Sequence, residues 1–177
     1  MESPDHIGSA RIQLRDAILE FQPPPCNPLQ ISPWVGMSLL QKAIRRGRRG
    51  LALQATATLL HASPERLWRT LACIAFEDIG VGDFDAVVLV TAALAGKRFR
   101  QDLGGEWNVA SFLISSMADA AKCRASDDLL LSAENHPDFD DARLQFAFRS
   151  TESLVRIATG DEPLPIRALA AIVVVTA

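Results

Sequence analysis

Apolar residues recur at helical spacing along most of this chain. Met37, Leu40, Ala43 and Ile44 form one stripe, and Leu67, Trp68, Leu71, Ile74 and Ala75 form another. Recurrence at i, i+3, i+4 is the mark of an amphipathic helix. Ser-Pro pairs stand where helices should begin, at Ser3-Pro4, Ser32-Pro33 and Ser63-Pro64, because proline suits the first helical position. The first helix is expected to run to about Phe21. The second ends at Gly47 and Gly50, the third covers Leu51 to His61, and the fourth stops at Gly80 as a left-handed C-terminal residue. Asp83 caps a helix over Ala86 to Ala95, closed by Gly96, and Gly104-Gly105 turns into another from about Trp107 to Cys123. Shorter helices follow over Asp127–Glu134, Pro137–Arg149 and Ser150–Thr159. The apolar run Ala168 to Val175 reads as a buried helix or strand. Val87, Val88 and Val90 are β-prone, but the periodic stretches are too long for strands and no hairpin signal occurs. The pattern predicts an all-α fold, an array or bundle of short helix pairs joined by tight turns.

Pro23, Pro24, Pro25 and Pro28 interrupt the pattern. They forbid regular structure and make a stiff linker, which divides residues 1–32 (helix and linker) from a helical domain over residues 33–177. A chain of 177 residues, 49% hydrophobic and 22% charged, has the composition of a globular protein. The longest apolar run is too short to span a bilayer. The start, Met-Glu-Ser-Pro-Asp, lacks the basic and apolar regions of a signal peptide. Three scattered cysteines, Cys26, Cys73 and Cys123, argue for a reducing compartment and against zinc. A cytoplasmic protein is expected, with Cys73 and Cys123 as buried thiols. The chain stops inside its last apolar run without a polar cap, which leads to the expectation of a longer natural protein.

The net charge of −3 hides an asymmetry. Between Phe21 and Pro64 every charged residue is positive: Lys42, Arg45, Arg46, Arg48 and Arg49. Between Asp119 and Asp141, seven acids face Lys122 and Arg124. Such a molecule can associate with itself or offer one end to a polyanion. Lys42, Arg45, Arg46 and Arg49 have the spacing of one helix face. Two readings stay open: a solvated face that also complements the helix dipole, or a contact for a phosphate backbone. No aromatic residue lies among them to stack on bases.

Glu77 and Asp78 stand in the last turn of a helix, where carboxylates oppose the dipole. Adjacent helical residues diverge too far to act as an acid–base pair, and no histidine lies near in sequence to complete a metal site. They are expected to form a structural ion pair with Arg45 or Lys42. His6, His61 and His136 are isolated, and His136 has no nucleophile motif beside it. Trp34, Trp68 and Trp107 are expected as core anchors.

Two stretches resemble a known family. They are Ser38-Leu39-Leu40-Gln41-Lys42-Ala43-Ile44-Arg45 and the run Leu67 to Asp83, which contains Glu77-Asp78-Ile79-Gly80. With the following helices, over about residues 36–124, they are similar to the region after the ATPase core of the replication-associated recombination protein A (RarA/MgsA) family of AAA+ clamp-loader-like proteins. The resemblance implies a collar or oligomerisation domain. It does not extend to the motor, because no G-x-x-x-x-G-K-[ST] loop is present to cradle a triphosphate. Two departures stand out. Arg45-Arg46-Gly47-Arg48-Arg49-Gly50 replaces an acidic segment of the family, and the family's Pro-Lys-Ser-Asn ending is missing. The function expected is a non-catalytic module, without cofactor or metal, for self-association or docking in a DNA replication or repair assembly. The alternative is a stand-alone DNA-binding protein using residues 42–49.

Overall fold

The computed structural model describes residues 5–176. Among these every regular element is helical. The chain separates into two compact units, one up to Cys123 and one from Arg124 onward. The division does not follow the proline segment, because the first helix shares the core of the elements beyond it.

The first unit comprises α1 (His6–Leu19), α2 (Pro33–Arg45), α3 (Arg49–Ala62), α4 (Pro64–Ile74), α5 (Phe84–Ala93), α6 (Lys97–Asp102) and α7 (Glu106–Asp119). Asp5 caps α1, its Oδ1 accepting from the Gly8 N–H at 2.8 Å; the expected Ser3-Pro4 start lies outside the described residues. Ser32 caps α2 with Pro33 just inside it, and Asp83 caps α5. α3 is buried on nearly every side through Ala52, Ala55, Thr56, Ala57, Thr58 and Leu59. Its small side chains let α2 and α7 approach closely. The Thr56 hydroxyl is satisfied by the carbonyl of Ala52 at 2.8 Å, as a buried hydroxyl requires. Leu40, Ile44, Leu59, Leu67, Leu71, Leu113, Ile114 and Met117 fill the centre, each contributing about 1.5–3 kcal/mol by burial. Ala10, Leu14 and Ile18 of α1 enter the same core.

Residues 20–32 run without helix but are tied down. The Trp107 indole donates to the Pro24 carbonyl at 2.8 Å, and the Leu29 N–H donates to the Thr58 hydroxyl at 2.8 Å.

The second unit comprises α8 (Ala125–Asn135), α9 (Asp140–Phe146), α10 (Thr151–Thr159) and α11 (Leu164–Thr176), with a 3₁₀ turn over Pro137–Phe139. Phe146, Leu154, Leu169 and Ala170 pack on Ala133 to form its small core. Ser150 caps α10, its hydroxyl accepting from the Ser153 N–H. The terminal apolar run is helical. No described helix is long and apolar enough to cross a membrane.

Three local expectations change. α4 does not continue to Gly80: it gives way at Ala75–Ile79 to a π turn, and a 3₁₀ turn covers Gly80–Gly82. Gly80 has positive φ, +49°, but its ψ of −129° lies outside the left-handed helical region. The helix expected to reach Cys123 ends at Asp119, because Ala120 turns extended. The segment Pro137–Arg149 is broken into the 3₁₀ turn and α9.

Candidate interaction surface

The basic cluster does not lie on one helix face. α2 ends at Arg45, Gly47 takes φ +64°, and Arg49 opens α3. The five cations therefore surround a tight turn between antiparallel helices. Lys42 and Arg45 complement the C-terminal dipole of α2, whereas Arg48 and Arg49 stand at the N-terminus of α3, where positive charge is unfavourable. Acids offset two of them. Arg45 meets Asp78 at 2.8 Å, and Arg49 pairs with Asp119. Lys42, Arg46 and Arg48 are exposed, with no ion pair among the described residues.

Asp78 is the most constrained charged group of this region. Its side chain is fully buried, while that of Arg45 is 38% exposed. Arg45 Nε donates to Oδ1 at 2.9 Å, and Gln41 Nε2 donates to Oδ2 at 3.1 Å. Three residues of two elements thus meet: Gln41 and Arg45, one turn apart on α2, and Asp78 on the π turn. Glu77 lines a cleft between α2 and α4.

The π turn is stitched to the end of α7. The Cys123 N–H donates to the carbonyls of both Asp78 and Ile79, at 3.1 and 3.2 Å. A Cβ on Gly80 would stand 2.9 Å from the Cys123 carbonyl oxygen, and one on Gly82 would stand 2.9 Å from that of Ala121. The glycines following Asp78 are there because another backbone passes against them. The Lys122 ammonium donates to the carbonyls of Ala118, at 3.1 Å, and Ala120, closing the C-terminus of α7. Burial pulls its pKa below the ordinary lysine range, and the negative charges of Asp83 and Asp78 pull it partly back.

Sequence reasoning missed a second polar cluster. Arg100, on the short α6, is buried with its guanidinium 4.1 Å from the Trp68 ring centroid. It donates to Glu106 at 3.0 and 3.2 Å and to the Ala93 carbonyl at 2.9 Å. The residues come from α4, α5, α6 and α7, so no local spacing announces them. This cluster walls a cleft of about 700 Å³ that also includes Arg69 and Lys97.

Another cleft, of about 720 Å³, lies between α2 and α4. Trp34 stands at its edge and is 74% exposed, so it is no core anchor; Trp68 is buried, and Trp107 is half-buried. Cys73 lines the same cleft and is exposed, while Cys123 is half-buried. The stripe of α4 that buries Leu67, Leu71 and Ile74 turns residue 73 outward. Among the described residues no group of three or more His, Cys, Asp or Glu side chains is arranged to hold a metal ion. His136 accepts from the Asp138 N–H at 3.3 Å, a local turn contact.

No protein-family model matches this chain, and neither does any curated protein or solved structure.

Proposed function

We propose that this chain is a non-catalytic helical module that acts by docking, through self-association or onto a partner, in a DNA replication or repair assembly of the cytoplasm. The observation that carries this reading is the fate of Asp78. The central carboxylate of the Glu-Asp-Ile-Gly block is buried and held by Arg45 and Gln41, which makes it a fastener between helices, with no face left for a substrate. By contrast, Trp34, Phe76 and Phe84 are all more than half exposed in the same unit. Aromatic side chains in the open are the usual anchors of protein interfaces. The assignment to replication or repair rests on the resemblance of residues 36–124 to the post-ATPase region of RarA/MgsA proteins, and any ATPase would act from elsewhere.

Light scattering behind size-exclusion chromatography, together with photo-crosslinking from residue 34 in cells, tests the reading. A concentration-dependent rise in mass or a discrete crosslinked partner is expected. A strict monomer that crosslinks to nothing overturns it, as does turnover of a substrate by the purified chain.

A second reading, direct DNA binding, is favoured by the exposed and ion-pair-free Lys42, Arg46 and Arg48. Acids already offset Arg45 and Arg49, leaving a smaller cationic footprint than the sequence suggested. This makes docking the stronger of the two.

A further inference from the structure

The cleft between α2 and α4 has a shape and a charge pattern that together describe its occupant. On α2 its lining residues Trp34, Met37 and Gln41 fall at i, i+3 and i+7, one helix face two turns long, or about 10 Å at 1.5 Å per residue. On the opposite wall Arg66, Arg69 and Cys73 of α4 fall at i, i+3 and i+7, a stripe of about 10 Å by the same rise, and Glu77 of the π turn lies beyond it. Two facing helical stripes make a trough that accepts a third helix lying along it, the helix-in-groove mode of recognition.

The trough is polar along its length. Gln41 bonds to Asp78 at 3.1 Å, which sets the C-terminal half of α2 beside the end of α4. Trp34 therefore lies toward the Arg66–Arg69 end, and Glu77 lies at the other. Arg66 and Arg69 are exposed, with no ion pair among the described residues. Trp34 and Met37 offer apolar surface on the α2 wall. The occupant must bring apolar side chains to Trp34 and Met37, and negative charge to the arginines. A helix running antiparallel to α2 and α4 does both, since its own C-terminal carbonyls add partial negative charge at that end.

Resting on the docking reading above, we propose that this groove receives a single amphipathic helix from a partner protein, antiparallel to α2 and α4, with an apolar stripe followed by carboxylates at its C-terminal end.

The test is selection of a display library of helical peptides of random sequence on the full chain. The counter-selection uses the chain carrying Trp34→Ala, Arg66→Glu and Arg69→Glu, which alters only exposed side chains. The enriched peptides are expected to have apolar residues at i, i+3 or i+4 and i+7 and acidic C-terminal ends. A synthesised member should bind the Arg66→Glu/Arg69→Glu chain at least about tenfold more weakly, as reversed charges across an interface demand, and the Arg66→Lys/Arg69→Lys chain nearly as well as wild type. It should shift the Trp34 indole N–H resonance and leave that of Trp68 in place. Enrichment of basic, neutral or non-helical peptides, or equal binding to the charge-reversed chain, overturns the proposal. So does self-association that the groove variants abolish, since the occupant is then a second copy. Self-association untouched by these variants, with no peptide enriched, defeats the proposal while leaving the docking reading intact; a strict monomer that enriches no peptide and crosslinks to nothing defeats both.

Discussion

Replacing Asp78 with asparagine removes a charge at almost constant volume, and it isolates the contribution of the fastener between α2 and the π turn. The two partners are unequally buried: the carboxylate is sealed from water, while the guanidinium of Arg45 is 38% exposed. When the charge leaves residue 78, Arg45 can turn toward solvent. The loss is then that of charge-assisted hydrogen bonds, about 2 kcal/mol, short of the ~3–5 kcal/mol for breaking a fully buried pair. The reverse change, Arg45→Met, leaves a carboxylate that cannot reach water. Gln41 and the field of Lys122 stay behind to soften that loss, giving about 3 kcal/mol. The order Arg45→Met above Asp78→Asn is the diagnostic result, and the double variant should cost less than the sum of the two. Urea unfolding followed by tryptophan emission measures it cleanly. Trp34, Trp68 and Trp107 all lie in the first unit, and the chain has no tyrosine. A loss of 2 kcal/mol should lower the midpoint by about 1 M urea. Asp78→Asn within about 0.5 kcal/mol of wild type, or costlier than Arg45→Met, refutes the reasoning.

Gly80→Ala, which forces a Cβ within 2.9 Å of the Cys123 carbonyl oxygen at positive φ, should cost about 2 kcal/mol or more. Gly47→Ala, where the nearest atom is 3.5 Å away, should cost about 1 kcal/mol, and the same urea assay ranks the two. Arg100→Lys keeps the charge but loses the fork that reaches Glu106 and the Ala93 carbonyl and covers Trp68. A loss of about 2–3 kcal/mol is expected, with a red shift of Trp68 emission. Arg46→Ala/Arg48→Ala tests the DNA reading: if duplex binding exists, its affinity should fall and its log–log salt slope should shrink by about 2, and an unchanged slope removes these residues from any such contact. Thiol titration with a disulfide reagent should show Cys73 reacting quickly and Cys123 slowly, following their exposures, with exposed Cys26 held back because burial pushes its thiol pKa up.

What the amino-acid order made legible was local. Ser32 and Asp83 cap the helices they precede, because an N-cap depends on the two or three residues that follow it, whereas Ser63 stands before α4 without a side-chain cap bond. The all-helical class follows from periodicity repeated over the whole chain. What stayed hidden was set by distant neighbours. The π turn at Ala75–Ile79 exists where Cys123 reaches the Asp78 and Ile79 carbonyls and α2 holds the Asp78 side chain, and none of that is written in residues 75–79. The α6 helix has no apolar stripe and is organised around Arg100. The cationic run at 42–49 had helical spacing on paper, but a single glycine at φ +64° folded it back on itself. Trp34 sits on the same helix as buried Leu40 and Ile44, and hydrophobicity alone does not say which apolar side chains a helix turns away from the core. The trough between α2 and α4 belongs to two separate stripes whose relation only the packing supplies.

The riveted proline stretch of residues 20–32 bears on how the first helix is kept in place. A connection of that length would normally wander widely when the protein is denatured, and gathering it back would oppose folding. Four prolines narrow that wandering in advance, and Trp107 and Thr58 pin the strap at Pro24 and Leu29. A glycine-serine replacement of equal length would lose both this preset stiffness and the contact of the Phe21 ring with Phe112, and α1 should then peel away more often, so the strap acts as a tether that keeps the first helix closed.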